Sequence, residues 1–374
     1  MRLKEDALRI LRALRFSAVL SFNIEDQLAK SIHNNKGLLC NISSERIAAE
    51  MSKMLIGDNI LKVLLQYADV FAVFIPEIET SIGFEQRTPY HIYDVWEHTA
   101  RSVAAVSMSS PTKDASQTIA SSTSTTQSPI AVSSTSPTAI SPPSPTTSPS
   151  TVPSSKPSPS PSSKLTTPTT SLSTPPTSST ANLYLRLTML FHDLGKPRVF
   201  TMDEYGIGHF YQHNIDSEEI ARKRLKALRF DNETIDVVTK LVRWHDTPIS
   251  EKSLPRWLNR LGEENLRLLF EVKRADARAQ NLLFSEARIA TVDILEQQLN
   301  QLMENKQCFK LSDLEISGVD ILQLGIKPGP AVGQVLNKLL EKVMDGEVAN
   351  DRETLLVLAK KDIIYREHQY VDMI

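Results

Sequence analysis

The chain has 374 residues and a formal net charge of −2, so it is long enough for two domains but lacks the overall basic character that indicates a nucleic-acid-binding protein. Its two cysteines, Cys40 and Cys308, lie far apart, which indicates a reducing compartment rather than a disulfide-stabilised scaffold. The charged N-terminus lacks the apolar core of a signal peptide, and no apolar run approaches the roughly 20 residues that span a bilayer. We therefore expect a cytoplasmic protein with no membrane partner.

Apolar residues recur at helical spacing in nearly every segment, which predicts an all-α fold. The exception is residues 107–181, which consist mostly of Ser, Thr and Pro. Such a segment cannot bury enough apolar surface to offset its ordering entropy, so we expect a disordered low-complexity insertion. An O-glycosylated stalk is the alternative. Candidate ligands lie on both sides of the segment, so we interpret it as an interruption within one domain.

Residues 5–22 predict an amphipathic helix whose arginines fall mainly away from the apolar face. Its predicted apolar stripe contains Leu8, Leu11, Leu14, Phe16 and Val19. A further helix is predicted around Ile42–Met51, where Arg46 and Glu50 have the spacing of an ordinary i,i+4 ion pair.

The stretch Leu190–Pro197 places an adjacent His192 and Asp193 at the end of an apolar helix, which Gly195 and Pro197 stop. An imidazole and a carboxylate side by side can bind one divalent cation. Other His and Asp residues are predicted at or near helix ends before and after this pair: His98, His213, His245 and Asp276. Lys196 could neutralise a substrate phosphate or simply hold a carboxylate.

Three of these candidates have a neighbour that could serve instead. We expect His91 to be a packed residue at a helix start, and Asp246 to be a surface turn residue. His209 competes with His213, which we favour. Residues 203–213 predict a hairpin or tight loop because they contain two glycines, and Asp216 begins a capping signal for a helix through Arg229.

Two features could contact phosphate or RNA. The basic run from Arg222 to Arg229 is typical of a solvated helix face, with RNA contact as the alternative. Gly325, Gly329 and Pro330 predict a helix stop followed by a helix that ends at Gly346. The corner could be purely structural, or the helix start at Gly329–Gly333 could take a phosphate.

The order of a His, a His-Asp pair and a distant Asp resembles that of the HD metal-dependent phosphohydrolases. The resemblance implies one metal held by His98, His192, Asp193 and Asp276, and a second that involves His213 and His245. It also implies catalysis by His192, Asp193 and Lys196. His and carboxylate ligands suit Mn, Ni, Fe, Co, Zn or Mg, and leave the identity open. Such a metal lowers the pKa of bound water toward about 7 and so supports attack on a phosphoester.

The wording Glu5-Asp6-x-x-Arg9-x-x-Arg12-Ala13-x-Arg15-Phe16 resembles the neck motif of the bacterial CCA-adding tRNA nucleotidyltransferases of the poly(A) polymerase family. The resemblance implies nucleotide binding by four residues: Glu5, Asp6, Arg9 and Arg12. Asp6 and Arg9 would read the base of CTP or ATP, and Glu5 would orient Arg9. Arg46 and Glu50 would brace this helix. The segments Leu314–Gly325 and Lys327–Gly333 resemble the tail of that family, which approaches tRNA.

That family has a head domain with a Gly-Ser loop and an Asp-x-Asp pair, and neither occurs in these 374 residues. We therefore expect no CCA addition from this chain alone, with CTP or ATP used only if a head domain is supplied. The expected organisation is a neck and body over 1–86, an HD domain over 87–282 and a helical, tRNA-contacting tail over 283–374. The expected function is that of the C-terminal portion of a CCA tRNA nucleotidyltransferase, in tRNA 3′-end processing, with a retained HD domain that acts as a metal-dependent phosphatase or phosphodiesterase. The phosphoester it hydrolyses is left open. The alternative is a non-catalytic RNA-binding fragment that works with a separately encoded head domain. A third possibility is a degraded gene product with neither activity.

Overall fold

The computed structural model describes residues 3–106, 177–305 and 307–371, and among them nearly all regular structure is helical, which confirms the predicted all-α fold. The helices are α1 Leu8–Leu20, α2 Asp26–Asn35, α3 Ser44–Leu55, α4 Ile60–Gln66, α5 Ala68–Phe71, α6 Val95–Ala105, α7 Ser178–Phe191, α8 Lys196–Val199, α9 His213–Ala227, α10 Asn232–Trp244, α11 Leu254–Arg278, α12 Leu282–Glu304, α13 Gly318–Gln323, α14 Pro330–Met344 and α15 Arg352–Val371. Short 3-10 helices occupy Lys36–Asn41, Pro76–Ile78, Glu251–Ser253 and Leu311–Asp313.

The described strands form one small antiparallel hairpin, β1 Thr201–Met202 and β2 Gly208–His209, with Thr201 opposite His209. This hairpin lies in the glycine-containing segment where the sequence predicts a hairpin or tight loop. It connects α8 to α9 and so leads the chain from the His192-Asp193 pair to His213.

Most of the predicted insertion lies outside the described residues. At its C-terminal edge the structure differs from the prediction, because α7 begins at Ser178 rather than after residue 181. Thr177 caps this helix, since its side chain accepts a hydrogen bond from the Thr180 backbone N–H. The cap allows the helix to start within the polar Ser/Thr sequence, four residues earlier than the apolar pattern indicates.

One continuous hydrophobic core extends from Leu3 to Leu299 and includes residues of α1, α3, α4, α6, α7 and α9–α12. Helices that the sequence assigns to separate neck and HD regions therefore share a core. A second, smaller core begins at Leu314 and joins α13, α14 and α15. The predicted tail boundary at residue 283 falls at the start of α12, whose buried residues belong to the first core.

The apolar face of α1 differs from the predicted stripe at its C-terminal half. Leu8, Leu11 and Leu14 are buried, but Phe16 is 45% exposed and Val19 43% exposed. Residues 8, 11 and 14 follow the i, i+3 spacing of one helix face, whereas position 16 turns away from that face.

The start of α9 also differs from the prediction. The helix begins at His213, so Asp216 lies in its first turn instead of capping it. Gln212, with φ of 61°, turns the chain into the helix. Farther on, α11 contains a kink at Gly262, with φ of 76°, a conformation that glycine adopts without a steric penalty. The segment after this kink matches the helix predicted from about Glu263.

None of the helices within the described parts of the chain is long and apolar enough to cross a membrane.

Candidate metal centre

Four helices and the turn after α7 bring the predicted ligands together. His98 lies in the first turns of α6, whose start is capped by the Asp94 side chain through a hydrogen bond of 2.7 Å from the Glu97 N–H. His192 and Asp193 follow the end of α7, at the predicted stop. The remaining ligands lie at the start of α9, just after α10 and near the end of α11: His213, His245 and Asp276.

The ligand atoms form two adjacent groups. In the first group, His98 Nε2 lies 3.3 Å from His192 Nε2 and 3.0 Å from Asp276 Oδ1. In the second group, His213 Nε2 lies 3.2 Å from His245 Nε2, and Asp193 completes it. Within each group all ligand atoms lie within 4.8 Å of one another, a separation that suits coordination of one ion.

Asp193 connects the two groups. Its Oδ2 lies 3.1 Å from His192 Nε2 and 3.3 Å from His98 Nε2, whereas its Oδ1 lies 3.3 Å from His213 Nε2 and 3.7 Å from His245 Nε2. One carboxylate therefore offers one oxygen to each group. This is the arrangement of a carboxylate that bridges two metal ions.

The second nitrogen of each imidazole donates to a backbone carbonyl oxygen. Nδ1 of His192 lies 2.7 Å from Met189 O, and Nδ1 of His245 lies 2.7 Å from Val242 O. The other two such hydrogen bonds join His213 to Phe210 O, at 2.9 Å, and His98 to Ala279 O, at 3.3 Å. A carbonyl oxygen can only accept, so each Nδ1 carries a proton and each neutral ring presents an Nε2 lone pair.

The Nε2 lone pairs of His98 and His192 face each other, as do those of His213 and His245. In a buried site such lone pairs would repel each other unless a cation lay between them. Hydrogen bonding of Nδ1 to a carbonyl is also the usual way in which a protein orients a metal-binding histidine. The residues present thus fit two divalent ions.

Charge in this site is balanced among the same residues. Burial would raise the pKa of the Asp193 carboxyl, but His192 and Lys196 outweigh burial and hold that pKa well below its usual range. Burial would also raise the pKa of the Asp276 carboxyl, but the neighbouring His98 outweighs burial and that pKa is lowered. Both carboxylates are therefore ionised and available as ligands at neutral pH.

The pKa values of two imidazoles around Asp193, those of His192 and His245, shift in opposite directions. Burial opposes charge on the His192 ring, but Asp193 and Asp276 outweigh it and raise the pKa of His192. Burial lowers the pKa of His245, and the neighbouring His213 adds to this effect. A metal must therefore compete with a proton at His192 more than at His245.

Asp276 is positioned by its own helix turn. Gln280 donates to its Oδ2 at 2.9 Å, which leaves Oδ1 directed at His98. The flanking arginines are occupied elsewhere, because Arg274 pairs with Glu271, Asp293 and Glu296, and Arg278 donates to Ala105 O. The alternative interpretation, an exposed Asp between arginines, is wrong.

Lys196 holds the carboxylate of Asp193, with Nζ 2.7 Å from Oδ2. It also donates to Gln86 Oε1 at 2.7 Å and to His91 Nε2 at 3.5 Å. Of the two roles left open by the sequence, the geometry matches the holding role, since the ammonium is ion-paired with Asp193 and donates to Gln86 and His91.

The three competing residues lie in different places. His209 pairs with Asp203 at 2.9 Å and stacks on Tyr211, outside both groups. Asp246 is an exposed turn residue, as predicted. His91 differs from the prediction: it precedes α6 by four residues and packs its ring against His98, with centroids 4.6 Å apart.

Sequence reasoning missed Lys273, one turn before Asp276. It is partly buried and donates to the backbone oxygens of His245 and Thr247, at 2.8 and 2.7 Å, so it fixes the chain that carries His245. Burial lowers the pKa of Lys273 to about 8. The i, i+3 spacing to Asp276 is its only signal in the sequence.

The predicted nucleotide-reading residues cluster at the start of α1. Glu5 lies 3.6 Å from Arg9, and Arg46 of α3 lies 3.6 Å from Asp6. Glu50 does not pair with Arg46 as an i,i+4 partner, because it binds Arg15 at 2.7 Å and lies 3.7 Å from Arg12. Arg46 therefore contacts the turn before α1, whereas Glu50 contacts the arginines of α1 itself.

The basic run from Arg222 to Arg229 is engaged in the protein at two positions and exposed at the other three: Lys223, Lys226 and Arg229. Arg224 binds Glu77 through two hydrogen bonds of 2.7 and 2.8 Å, and Arg222 contacts Glu218 and Thr239. In the tail, Gly329 has φ of 153° and Pro330 starts α14, as the predicted corner requires. This corner connects α13 to α14. Phosphate binding at the start of α14 stays a prediction.

Comparisons with known proteins match two stretches of the chain, one before the site and one that includes His213, His245 and Asp276. Residues 209–359 match the family described as “tRNA nucleotidyltransferase domain 2 putative”, and residues 21–82 match “Probable RNA and SrmB- binding site of polymerase A”. The chain is 24% identical over 365 residues to the CC-adding tRNA nucleotidyltransferase of Thermus thermophilus, covering 94% of this chain and 65% of that protein. It is 31% identical over 179 residues to the A-adding tRNA nucleotidyltransferase of Deinococcus radiodurans, covering 46% of this chain and 40% of that protein.

The fold is also similar to a solved structure. The crystal structure of the Bacillus stearothermophilus CCA-adding enzyme in complex with CTP matches with a TM-score of 0.56 and 18% identity, over 98% of this chain and 64% of that one. The chain thus covers just under two thirds of the Thermus and Bacillus proteins and 40% of the Deinococcus protein. Taken together, these matches make the chain similar, over most of its length, to CCA-adding tRNA nucleotidyltransferases of the poly(A) polymerase type.

Proposed function

We propose that the two ligand groups form the dinuclear site of an HD-type, metal-dependent phosphohydrolase that acts on phosphoesters at the tRNA 3′ end. The observation that carries the proposal is the orientation of four buried imidazoles. Each donates its Nδ1 proton to a backbone carbonyl and turns an Nε2 lone pair toward a ligand group. Bound divalent ions, of which Mn, Ni, Fe, Co, Zn and Mg are candidates, would supply Lewis-acid activation of water and phosphoester.

The protein's own residues then have separate roles. His98, His192 and Asp276 would hold one ion and His213 and His245 the other, and Asp193 would offer one carboxylate oxygen to each group. Lys196 acts on substrate indirectly, because it fixes the bridging carboxylate. The relatives named as CC-adding and A-adding enzymes support tRNA as the macromolecule that presents the phosphoester.

The test is hydrolysis of bis(p-nitrophenyl) phosphate by the purified chain, together with elemental analysis after dialysis. We expect about two ions per chain in the wild type. We expect His192→Ala to lose metal and to lose at least about 100-fold in kcat/KM, in line with removal of a metal ligand or its support.

His209→Ala is the matched control, since it removes a histidine near the site that contacts Asp203 rather than either ligand group. It should retain both metal and activity. Full activity of His192→Ala, or equal losses in both variants, would rule out the site.

The contacts of α1 favour a second candidate function, recognition of CTP or ATP by Asp6 and Arg9. Both side chains are partly exposed, at 31% and 41%, and both have partners that hold them in place. We expect calorimetry to detect weak CTP binding that Arg9→Ala abolishes and Lys30→Ala preserves. Incorporation of radiolabelled CTP or ATP into tRNA by this chain alone is not expected, because the 374 residues contain no Asp-x-Asp pair.

A further inference from the structure

His91 is held beside the metal centre by the start of α12. Asn281 donates through its backbone N–H to Tyr90 O at 2.9 Å and through its side chain to Pro89 O at 3.2 Å. The Tyr90 ring packs edge-on against Phe284, with centroids 4.9 Å apart. The ring of His91 therefore has a defined place against His98, rather than a variable loop position.

The tautomer of His91 follows from its contact with Lys196. Nζ of Lys196 can only donate, so His91 Nε2 accepts and the ring proton lies on Nδ1. This Nδ1 is buried and has no hydrogen-bond partner among the described residues. A buried donor without an acceptor is costly, and such groups in native proteins require a specific explanation.

Lys196 cannot serve as the donor to a bound phosphoester without giving up a protein partner, because its ammonium already faces Asp193, Gln86 and His91. His91 Nδ1–H is the neighbouring donor that remains uncommitted. A phosphoryl oxygen accepts such a hydrogen bond readily, and an anionic acceptor strengthens it.

We propose that His91 is a substrate-binding residue whose Nδ1–H donates to a non-bridging oxygen of the phosphoester at the metal centre. This inference rests on the proposed phosphohydrolase function, and its test separates the two. The hydrogen bond would orient the phosphoryl group, while Lys196 fixes both the tautomer of His91 and the carboxylate of Asp193.

Two substitutions at this position distinguish the proposal from a packing role. His91→Gln places an acceptor near the position of Nε2, so Lys196 keeps a partner, but it removes the Nδ1 donor. His91→Asn keeps an amide donor near the position of Nδ1 and removes the partner of Lys196. The measurements are kcat/KM for bis(p-nitrophenyl) phosphate, calorimetric Kd for inorganic phosphate on the metal-loaded protein, metal content and Tm.

We expect His91→Gln to lower kcat/KM and to weaken phosphate binding by roughly 10- to 100-fold, as for a hydrogen bond to a charged group. Metal content and Tm should match the wild type. His91→Asn should stay within about threefold of the wild type in phosphate Kd, because it retains the donor.

Wild-type phosphate affinity in His91→Gln, equal losses in both variants, or no phosphate binding by the metal-loaded wild type would overturn the proposal. If the wild type hydrolyses the diester and His91→Gln does so equally well, His91 has no such role and the proposed function stands. If the wild type binds phosphate through His91 but hydrolyses nothing, the hydrolase function fails and the role of His91 stands.

Discussion

Gly195 offers a direct test of how the turn after His192-Asp193 positions the second ligand group. Its φ of −78° and ψ of −19° are accessible to any residue, so Gly195→Ala introduces no backbone strain. A Cβ at this position would lie 2.5 Å from His213 O and 2.7 Å from Ser217 N, whereas ordinary contact begins near 3.4 Å. The first turn of α9, which carries His213, must therefore move by nearly 1 Å.

This displacement is large compared with the tolerance of a metal site, since coordination distances hold to about 0.2 Å. We expect Gly195→Ala to lose the ion held by Asp193, His213 and His245 while it retains the other. Overpacking of this kind typically costs about 1–3 kcal/mol of unfolding free energy. Elemental analysis after dialysis and urea unfolding measure the two effects.

Gly333→Ala is the matched control. Gly333 lies within α14, and an added Cβ would meet nothing within 4 Å. This change should leave metal content unchanged and should stabilise the protein by about 0.5–1 kcal/mol, the usual gain from alanine in a helix. Full metal content in Gly195→Ala, with unfolding free energy within about 0.5 kcal/mol of wild type, would refute the reasoning.

Three further predictions follow from buried groups. Burial lowers the pKa of Lys273 to about 8, below its ordinary value of 10.5, so between these pH values the unfolded chain binds more protons than the folded one and stability rises with pH. Lys273→Met should abolish this rise, which amounts to about 2 kcal/mol between pH 8 and pH 10 in the wild type, as measured by urea unfolding at these two pH values; an unchanged difference between them would contradict it. Arg186 is buried and donates to Leu55 O and Gly57 O at 2.7 and 3.0 Å, so Arg186→Met leaves two carbonyls unpaired. We expect it to destabilise the protein by about 2–5 kcal/mol, whereas Arg198→Met, at an exposed site, should cost little in the same urea assay. Removal of metal with EDTA should lower Tm, since the ligand groups exist only in the folded state, and added Mn or Zn should restore it; a Tm that does not respond to EDTA would argue against bound metal.

The all-α fold and the six candidate ligands are local properties of the sequence. Helical periodicity is visible within about 11–18 residues, and His192, Asp193 and Asp276 lie at helix ends that Gly, Pro or polar residues mark. The family resemblance could be stated for the same reason, because Glu5, Asp6 and Arg9 form a contiguous pattern. These features needed no knowledge of which helix packs on which.

The tertiary structure decided everything that depends on partners distant in sequence. Lys196 meets Gln86 across 110 residues, and Arg15 meets Glu50 across 35. Such contacts assign Lys196 to Asp193 rather than to a phosphate, and they give His91 its tautomer. The type of a side chain fixes which hydrogen bonds it is able to make. The packing of α6, α7 and α9–α11 then determines which partners are within reach and so which of these bonds form.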